Sequence, residues 1–343
     1  MQYKFFTNSE TTWQAMFEAI KLAKESVYLE MYIFQDDMEK FNFSELLKEK
    51  AKQGLRVRVI LDYFGSSKLS KNALSSMKEA GVEVLFISYL FHRAHRKILV
   101  IDNSIGFIGG VNFHQSARLW DDLVVRVKGA FIKKIVKSFA KSYVECGGKD
   151  PLILSESKKN FLHKTQIWLV ENFPHRNKFF LKRVYKEYLN QTKKHVILAT
   201  PYFMPKRWFI VLLHQAVLRG VKVDILVPKT TDHALIDRVN YFYMNKLAKL
   251  GVNFYLEPKM NHAKVMIIDE KEGIIGSQNL DFLSFELNTE LGVFFSDLAT
   301  VSKLVEITDK WKGESIIFDQ KNYKPNMLDY FWAHLFQFFA RIL

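Results

Sequence analysis

The chain repeats itself, and this limits its possible folds more than any other feature. Early on, AIKLAKESVYLEMYIF carries a helical pattern into an apolar run from Val27 to Phe34. Much later, YLNQTKKHVILATPYF does the same, with Val196 to Thr200 as the strand. An amphipathic helix, a basic-Gly turn and a strand follow each time, KAKQGLRVRVILD and then QAVLRGVKVDILVP. Gly54 and Gly220 are placed to stop their helices in the left-handed conformation that glycine accepts. A further helix ends at Gly81 or Gly251, before the strands VEVLFI and VNFYLE. Finally HRKILVIDNSIGFIGGVN is echoed by HAKVMIIDEKEGIIGSQN, and the register between the copies stays nearly constant throughout. Alternating strands and helices of this kind predict an α/β layered domain, present twice. A length of 343 residues fits two such domains.

Composition narrows the class. Hydrophobic residues make up 48% and charged residues 25%, a globular balance. Fifty Lys and Arg against 36 Asp and Glu leave +14, which calls for an anionic partner: nucleic acid, anionic lipid or a phosphorylated metabolite. The single cysteine, Cys146, rules out a disulfide framework and a cysteine zinc cluster, and fits a reducing compartment. The start, MQYKFFTNS, lacks the apolar core of a secretory signal, and no run of apolar residues is long enough for a membrane-spanning helix. Between the copies, Lys158 to Lys194 holds ten Lys or Arg and only two acids, Glu171 and Glu187. Trp168, Phe173, Phe179 and Phe180 interleave with these cations. A solvated basic helix and a surface facing phosphates account for this stretch equally well.

The chemistry lies in a His-x-Lys triplet followed, after four residues, by Asp. The copies are His95, Lys97, Asp102 and His262, Lys264, Asp269, the aspartates standing at strand ends where bracing of local backbone is the stronger expectation for them. The intervening ILVI and VMII mark strands buried on both faces, and two-residue spacing projects His and Lys to one side. Lysine is no ligand for a structural metal, and no second His or carboxylate stands at zinc spacing, so neither metal nor cofactor is expected. An imidazole is a nucleophile and proton shuttle near neutral pH, and Lys is a fixed cation for phosphate oxygens. Two such pairs around one anionic centre suit a two-step displacement at a phosphodiester. One His attacks phosphorus and becomes phosphohistidine, the other handles protons, and the lysines stabilise charge on oxygen. Asn112 and Asn279, each seventeen residues past its His, with Ser277 nearby, are candidates to support phosphate. Asp122 follows the first His and Glu290 the second at nearly equal spacing, so each is the candidate carboxylate for its own imidazole, with Asp121 as a substitute for Asp122. Tyr32, Glu30 and Tyr202 are candidates for lining a substrate pocket or for core. The other histidines, His163 and His195 among them, stand outside the repeat.

These paired motifs resemble the phospholipase D superfamily, and HRKILVID…FIGGVN with HAKVMIID…IGSQNLDFLSFELNTE is similar to its bacterial cardiolipin synthase branch. The resemblance covers most of the chain, LEMYIFQDD, TPYFMP and Asn288–Glu290 included. It implies an α/β fold of two phospholipase D-like α/β/α sandwich repeats with pseudo-twofold symmetry and one shared active site. It also implies metal-independent phosphatidyl transfer between two phosphatidylglycerol molecules, with glycerol released and His95 as the nucleophile. The alternatives are a phospholipase D that hydrolyses lipid, a nuclease of the same superfamily, and a scaffold without catalysis. The expected partners are anionic phospholipid and a membrane surface rather than nucleic acid, at the cytoplasmic face of a bacterial membrane. Many members of the branch carry an N-terminal transmembrane hairpin, and this chain starts directly in the catalytic repeat.

The domain boundaries follow: residues 1–155 for the first repeat, 156–326 for the second with the basic segment, and 327–343 for a C-terminal helix. In MLDYFWAHLFQFFARIL, Tyr330, His334, Gln337 and Arg341 fall on one side at 100° per residue, and Leu328, Phe331, Trp332, Leu335, Phe336, Phe338, Phe339 and Ile342 cover the rest. Such a helix suits a position lying in a membrane interface. A helix packed on the core is the competing expectation.

Overall fold

The computed structural model describes residues 2–87, 92–158, 166–176 and 178–342, with the backbone alone for 336–342. His163 lies outside the described residues, as do the side chains of Phe336, Gln337, Phe338, Phe339, Arg341 and Ile342. The chain forms two compact units, Met1–Leu169 with Thr289–Leu291, and Val170–Asn288 with Gly292–Leu343.

In the first unit the strands are β1 (Gln2–Asn8), β2 (Ser26–Met31), β3 (Arg56–Asp62), β4 (Glu83–Ile87), β5 (Ile98–Ile101), β6 (Ile105–Gly109) and β7 (Asp121–Lys128). They form one mixed sheet in the order β1-β7-β6-β5-β2-β3-β4. The strands β2, β3 and β4 run parallel through helical crossovers, and β5, β6 and β7 follow antiparallel. One face packs on the helices Ser9–Lys21, Phe43–Lys52 and Lys71–Glu79 through Trp13, Met16, Leu47 and Met77. The other face carries the helix Ile132–Glu145, whose Phe139 stacks on Tyr28 of β2 at 5.3 Å. Three layers result, α/β/α.

The second unit repeats the pattern. Its strands are β8 (Ile167–Asn172), β9 (His195–Ala199), β10 (Phe203–Met204), β11 (Lys222–Pro228), β12 (Asn253–Glu257), β13 (Val265–Ile268), β14 (Glu272–Gly276), β15 (Leu280–Asp281), β16 (Glu290–Phe295) and β17 (Ile316–Ile317). The main sheet runs β17-β12-β11-β9-β13-β14-β16-β8, the first sheet's order strand for strand with β17 added at one edge. The same hydrophobic spacing produces the same close approaches. A Cβ on Gly106 would meet Ile135 Cδ1 at 2.9 Å, and one on Gly273 would meet Leu304 Cδ1 at 3.0 Å, so at both positions glycine lets the covering helix's side chains pack directly on the strand. The helix stops at Gly54 and Gly220 have φ of +87° and +81°, as the sequence predicts.

The expected boundaries shift. Residue 155 falls inside the helix Pro151–Lys158, which packs on Ile132–Glu145 and so belongs to the first unit. The C-terminal helix Met327–Ile342 is no separate body: it packs on the helix Ala234–Ala248.

Asp102 and Asp269, which the motif groups with the catalytic residues, do the backbone bracing that their strand-end positions suggest. Each follows its short strand with positive φ, 49° and 50°, so the chain turns sharply there. Extended chain advances about 3.3 Å per residue, which puts an Asp seven residues beyond its His on the order of 20 Å away. The Asp102 carboxylate accepts hydrogen bonds from the N–H groups of Lys24, Glu25 and Ser26 at 2.7–2.9 Å. Asp269 does likewise for Lys193, Lys194 and His195 at 2.8–3.0 Å, and takes the Thr192 hydroxyl at 2.9 Å. Both tie the turn after the motif strand to the start of the neighbouring strand. Burial alone would raise the Asp269 pKa, but the donors from His195, Lys193, Lys194 and Thr192 outweigh it and hold the carboxyl below its usual range. Asp269→Asn is therefore expected to lose about 1–2 kcal/mol at neutral pH. A depressed folded pKa gives stability that is present above the ordinary Asp value and lost as pH falls through the folded one. Thermal unfolding of both chains from pH 7 to pH 3 checks this: the gap is expected to close in acid.

Candidate active site

In the first unit the His-x-Lys triplet occupies the extended segment just before β5, and Ala94 bridges to Thr289. Alternation carries through it. His95 and Lys97 share a side, and Arg96 between them points the other way, fully buried, to Ser142 Oγ (3.0 Å) and Ser138 Oγ (2.6 Å) on the helix Ile132–Glu145. Glu30 lies on that opposite side, 3.4 Å from the Arg96 guanidinium and accepting from Ser142, so it belongs to the core and not to a headgroup pocket. The buried arginine pins the strand from beneath, where spacing alone announced nothing. A second carboxylate the sequence reading missed is Asp62 at the end of β3. It accepts from the Ala94 N–H at 2.8 Å and the Gly65 N–H at 2.8 Å, and burial raises its pKa against those donors.

On the motif side, His95 is 6% exposed and Lys97 3%. The Lys97 ammonium donates to the His95 carbonyl at 2.9 Å and sits 5.0 Å from the Tyr32 ring centroid. The Tyr32 ring meets the imidazole edge-on at 4.6 Å, so this residue lies at the imidazole. Asn112 accepts from the Ile33 N–H through Oδ1 at 3.3 Å, which leaves its amide nitrogen as the donor side. Its carbonyl takes the Trp13 indole N–H at 2.9 Å, linking the site to the core.

Glu290 corrects the pairing read from spacing. Residues Thr289–Leu291 belong with the first unit. The Thr289 carbonyl accepts from the His95 N–H at 2.9 Å, and the Thr289 N–H donates to Arg93 at 2.8 Å. This backbone ladder sets the Glu290 carboxylate against His95, with both oxygens 3.1 Å from Nδ1. The first imidazole is thus held by the carboxylate that sequence order assigned to the second. Asp122, expected at His95, accepts from the Leu123 N–H at 2.6 Å and lies against Gly110, where an added Cβ would stand 2.2 Å from Oδ1. With Nδ1 engaged by a carboxylate, the proton belongs there and Nε2 carries the lone pair.

The second unit builds its triplet the same way. His262 is 4% exposed and Lys264 1%, and the Lys264 ammonium again donates to the carbonyl of its own His. The Tyr202 ring stands edge-on to His262 at 6.2 Å, and its hydroxyl donates to Asp232 at 2.7 Å. The TPYFMP loop that carries it is fixed by Asn240, which accepts from Phe203 N–H at 2.8 Å and donates to the Pro201 carbonyl at 2.9 Å. The pairing of β10 with β15 brings this loop beside Asn279. Asn279 is 5% exposed, donates its backbone N–H to Ser284 at 3.0 Å, and has an enclosed side-chain oxygen with no partner among the described residues. Ser277 is buried nearby in sequence. Before the triplet, Asn261 donates to Glu257 at 2.6 Å and accepts from the Ala263 N–H at 2.9 Å, the counterpart of the Asp62 brace. Among the described residues no three His, Cys, Asp or Glu are grouped to hold a metal.

A family model described as "Cardiolipin synthase, PLD-like domain" matches residues 16–143 and 185–311, one copy over each repeat. The chain belongs to this family. A cardiolipin synthase of Halalkalibacterium halodurans is 30% identical over 92% of this chain and 67% of its own length. One of Geobacillus sp. (strain WCH70) is 31% identical over 88% of this chain and 64% of its own. The chain thus spans about two thirds of the length of these phospholipase D-like relatives. Among solved structures, the phosphatidylserine synthase of Haemophilus influenzae superposes with a TM-score of 0.76 over 99% of this chain and 93% of that one, at 14% identity. The polyphosphate kinase of Porphyromonas gingivalis reaches 0.64 over the whole chain and 54% of its own, at 11% identity. At such identities the likeness is one of fold, and it agrees with two phospholipase D-like repeats.

If the Glu290 carboxylate fixes the His95 tautomer, Glu290→Gln lowers phosphodiester turnover by about 10²–10⁴. Far-UV circular dichroism and thermal melts alongside the rate assay separate this loss from misfolding: the spectrum is expected to stay unchanged.

Proposed function

We propose that the chain is a cardiolipin synthase, passing a phosphatidyl group from one phosphatidylglycerol to the headgroup hydroxyl of another. The Nε2 lone pair of His95 attacks phosphorus, the bond from phosphorus to the glycerol oxygen breaks, and that oxygen leaves with a proton from His262. The headgroup hydroxyl of the second lipid then gives its proton to His262 and attacks, and the P–N bond breaks. Lys97 and Lys264, with Asn112 and Asn279, stabilise charge on the non-bridging oxygens. One phosphodiester replaces another, so the equilibrium lies near balance without ATP. Water in place of the second lipid gives phosphatidic acid. The observation that carries the reading is the His95 ring, held at Nδ1 by Glu290 above a buried lysine. The family and its cardiolipin synthase relatives support the choice of substrate.

A lipid substrate requires a way onto the bilayer. No described helix is long and apolar enough to cross a membrane. The helix Met327–Ile342 offers a peripheral route. Its Asp329 faces inward, 3% exposed, and is held by Arg238 and the Tyr323 hydroxyl at 3.0 Å each. Met327, Leu328 and Phe331 turn outward at 88%, 55% and 57% exposure. A surface helix normally buries its apolar stripe, and this one holds part of it out. Both expectations for the helix thus meet in one reading: it docks on the body through Asp329 and Ala333 and presents apolar side chains to lipid.

The activity test uses purified chain, labelled phosphatidylglycerol vesicles and EDTA. Cardiolipin and free glycerol are expected in equal amounts, and both disappear in His95→Ala and in His262→Ala. Cleavage of oligonucleotides with untouched lipid would contradict the assignment. For the membrane route, Leu328→Gln with Phe331→Gln changes exposed positions only. It is expected to cut co-sedimentation with anionic vesicles severalfold, with the melting temperature unchanged.

A further inference from the structure

We propose that Lys182, Lys186 and Lys206, gathered around Trp208 in the second unit, form a binding site for a phosphoryl anion. Lys182 and Lys186 stand one turn apart on the helix Phe180–Gln191, and Lys206 precedes the helix Arg207–Leu218. The Lys182 ammonium reaches Glu286 Oε1 at 2.9 Å, and Lys206 pairs with the other oxygen of the same carboxylate. The ammonium groups of Lys182 and Lys186 lie 5.7 and 5.6 Å from the Trp208 ring centroid. One carboxylate therefore serves two lysines, and Lys186 has no acidic partner among the described residues.

Two of the three are not ordinary surface cations, while Lys186 is exposed. The side chains of Lys182 and Lys206 are only 29% and 23% exposed. Burial lowers the pKa of Lys182, and burial followed by repulsion from Lys182 lowers that of Lys206. Holding two ammonium groups half-buried, with the exposed Lys186 beside them at the same ring, costs free energy that one carboxylate only partly offsets. A second anion among them restores the balance. Trp208 indicates where it sits. The ring is held edge-on by Phe285 at 5.1 Å and Phe209 at 5.4 Å, and its indole N–H is enclosed with no acceptor among the described residues. Lysines converging on one ring from a neighbouring helix ask for an anion with several acceptor oxygens spread in three dimensions, which a phosphoryl group supplies and a planar carboxylate does not. Two of these lysines come from the basic, aromatic-rich stretch between the repeats, which charge and composition alone left equally open to a solvated face. The phosphoryl group of an anionic phospholipid headgroup and that of a small soluble ester share this chemistry. The choice of phosphatidylglycerol as the lipid rests on the proposed activity.

The test reads binding, without turnover. Wild-type chain and Trp208→Phe are titrated with glycerol 3-phosphate, then with phosphatidylcholine vesicles with and without phosphatidylglycerol, and the difference in tryptophan fluorescence isolates Trp208. A saturable Trp208 signal is expected with the phosphatidylglycerol vesicles and not with phosphatidylcholine alone. A matching response to glycerol 3-phosphate assigns the site to phosphoryl groups in general, and its absence assigns it to lipid headgroups. Lys182→Gln with Lys186→Gln is expected to weaken binding about tenfold or more, and Lys182→Arg with Lys186→Arg to retain it. No Trp208 response to either phosphoryl source, or an unchanged titration in the glutamine pair, overturns the site. Binding without cardiolipin formation leaves the site standing and removes the proposed activity instead.

Discussion

An imidazole attacks phosphorus only when one nitrogen is held and the other faces the substrate. In this chain the Glu290 carboxylate holds Nδ1 of His95 with both oxygens at 3.1 Å. Everything around the ring serves that contact. The Thr289 carbonyl takes the His95 N–H, Asp62 takes the Ala94 N–H, and the buried Arg96 anchors the same three residues from the opposite face. The lysine is also constrained: its ammonium folds onto the carbonyl of the very histidine it serves, and the second unit reproduces this with Lys264 and His262. A His-x-Lys triplet in extended chain therefore delivers more than two groups on one side. It delivers an imidazole and a cation whose separation the backbone itself sets.

Much of this was legible in the sequence. The repeat predicted two α/β layered units, and the sheets match strand for strand because the apolar runs and the glycine stops recur in register. The triplets, the asparagines and the late carboxylates were found by their repeated spacing. Spacing could not say which imidazole a carboxylate meets. Glu290 follows His262 in the chain, but the residue before it, Thr289, bridges to Ala94, and only long-range pairing reveals that. For Asp102 and Asp269 the strand-end position, and not the repeat, pointed to a bracing role. They recur as faithfully as the histidines, and recurrence does not separate a catalytic carboxylate from one that braces a turn at positive φ. Arg96 and Asp62 went unnoticed because neither has a counterpart in the second copy, where Ala263 and Pro228 stand in the corresponding sequence positions. The second unit uses Asn261 and Glu257 for the same bracing job.

Charge and apolar surface complete the picture of a protein that works on lipid. The excess of positive charge is concentrated between the repeats, and Lys182 from that stretch is half-buried against Trp208. The C-terminal helix inverts the usual order, with Asp329 inside and Phe331 outside. On the proposed membrane reading, a surface that supplies phosphates and acyl chains offsets both arrangements.

The central claim is that His95 is the nucleophile and that Glu290 leaves Nε2 as the attacking atom. Trapping the covalent intermediate from labelled phosphatidylglycerol at alkaline quench, followed by peptide mapping and separation of the two phosphohistidine isomers, tests it directly. The account predicts phosphorus on Nε2 of His95. Label on Nδ1 of His95, or on His262, would contradict it.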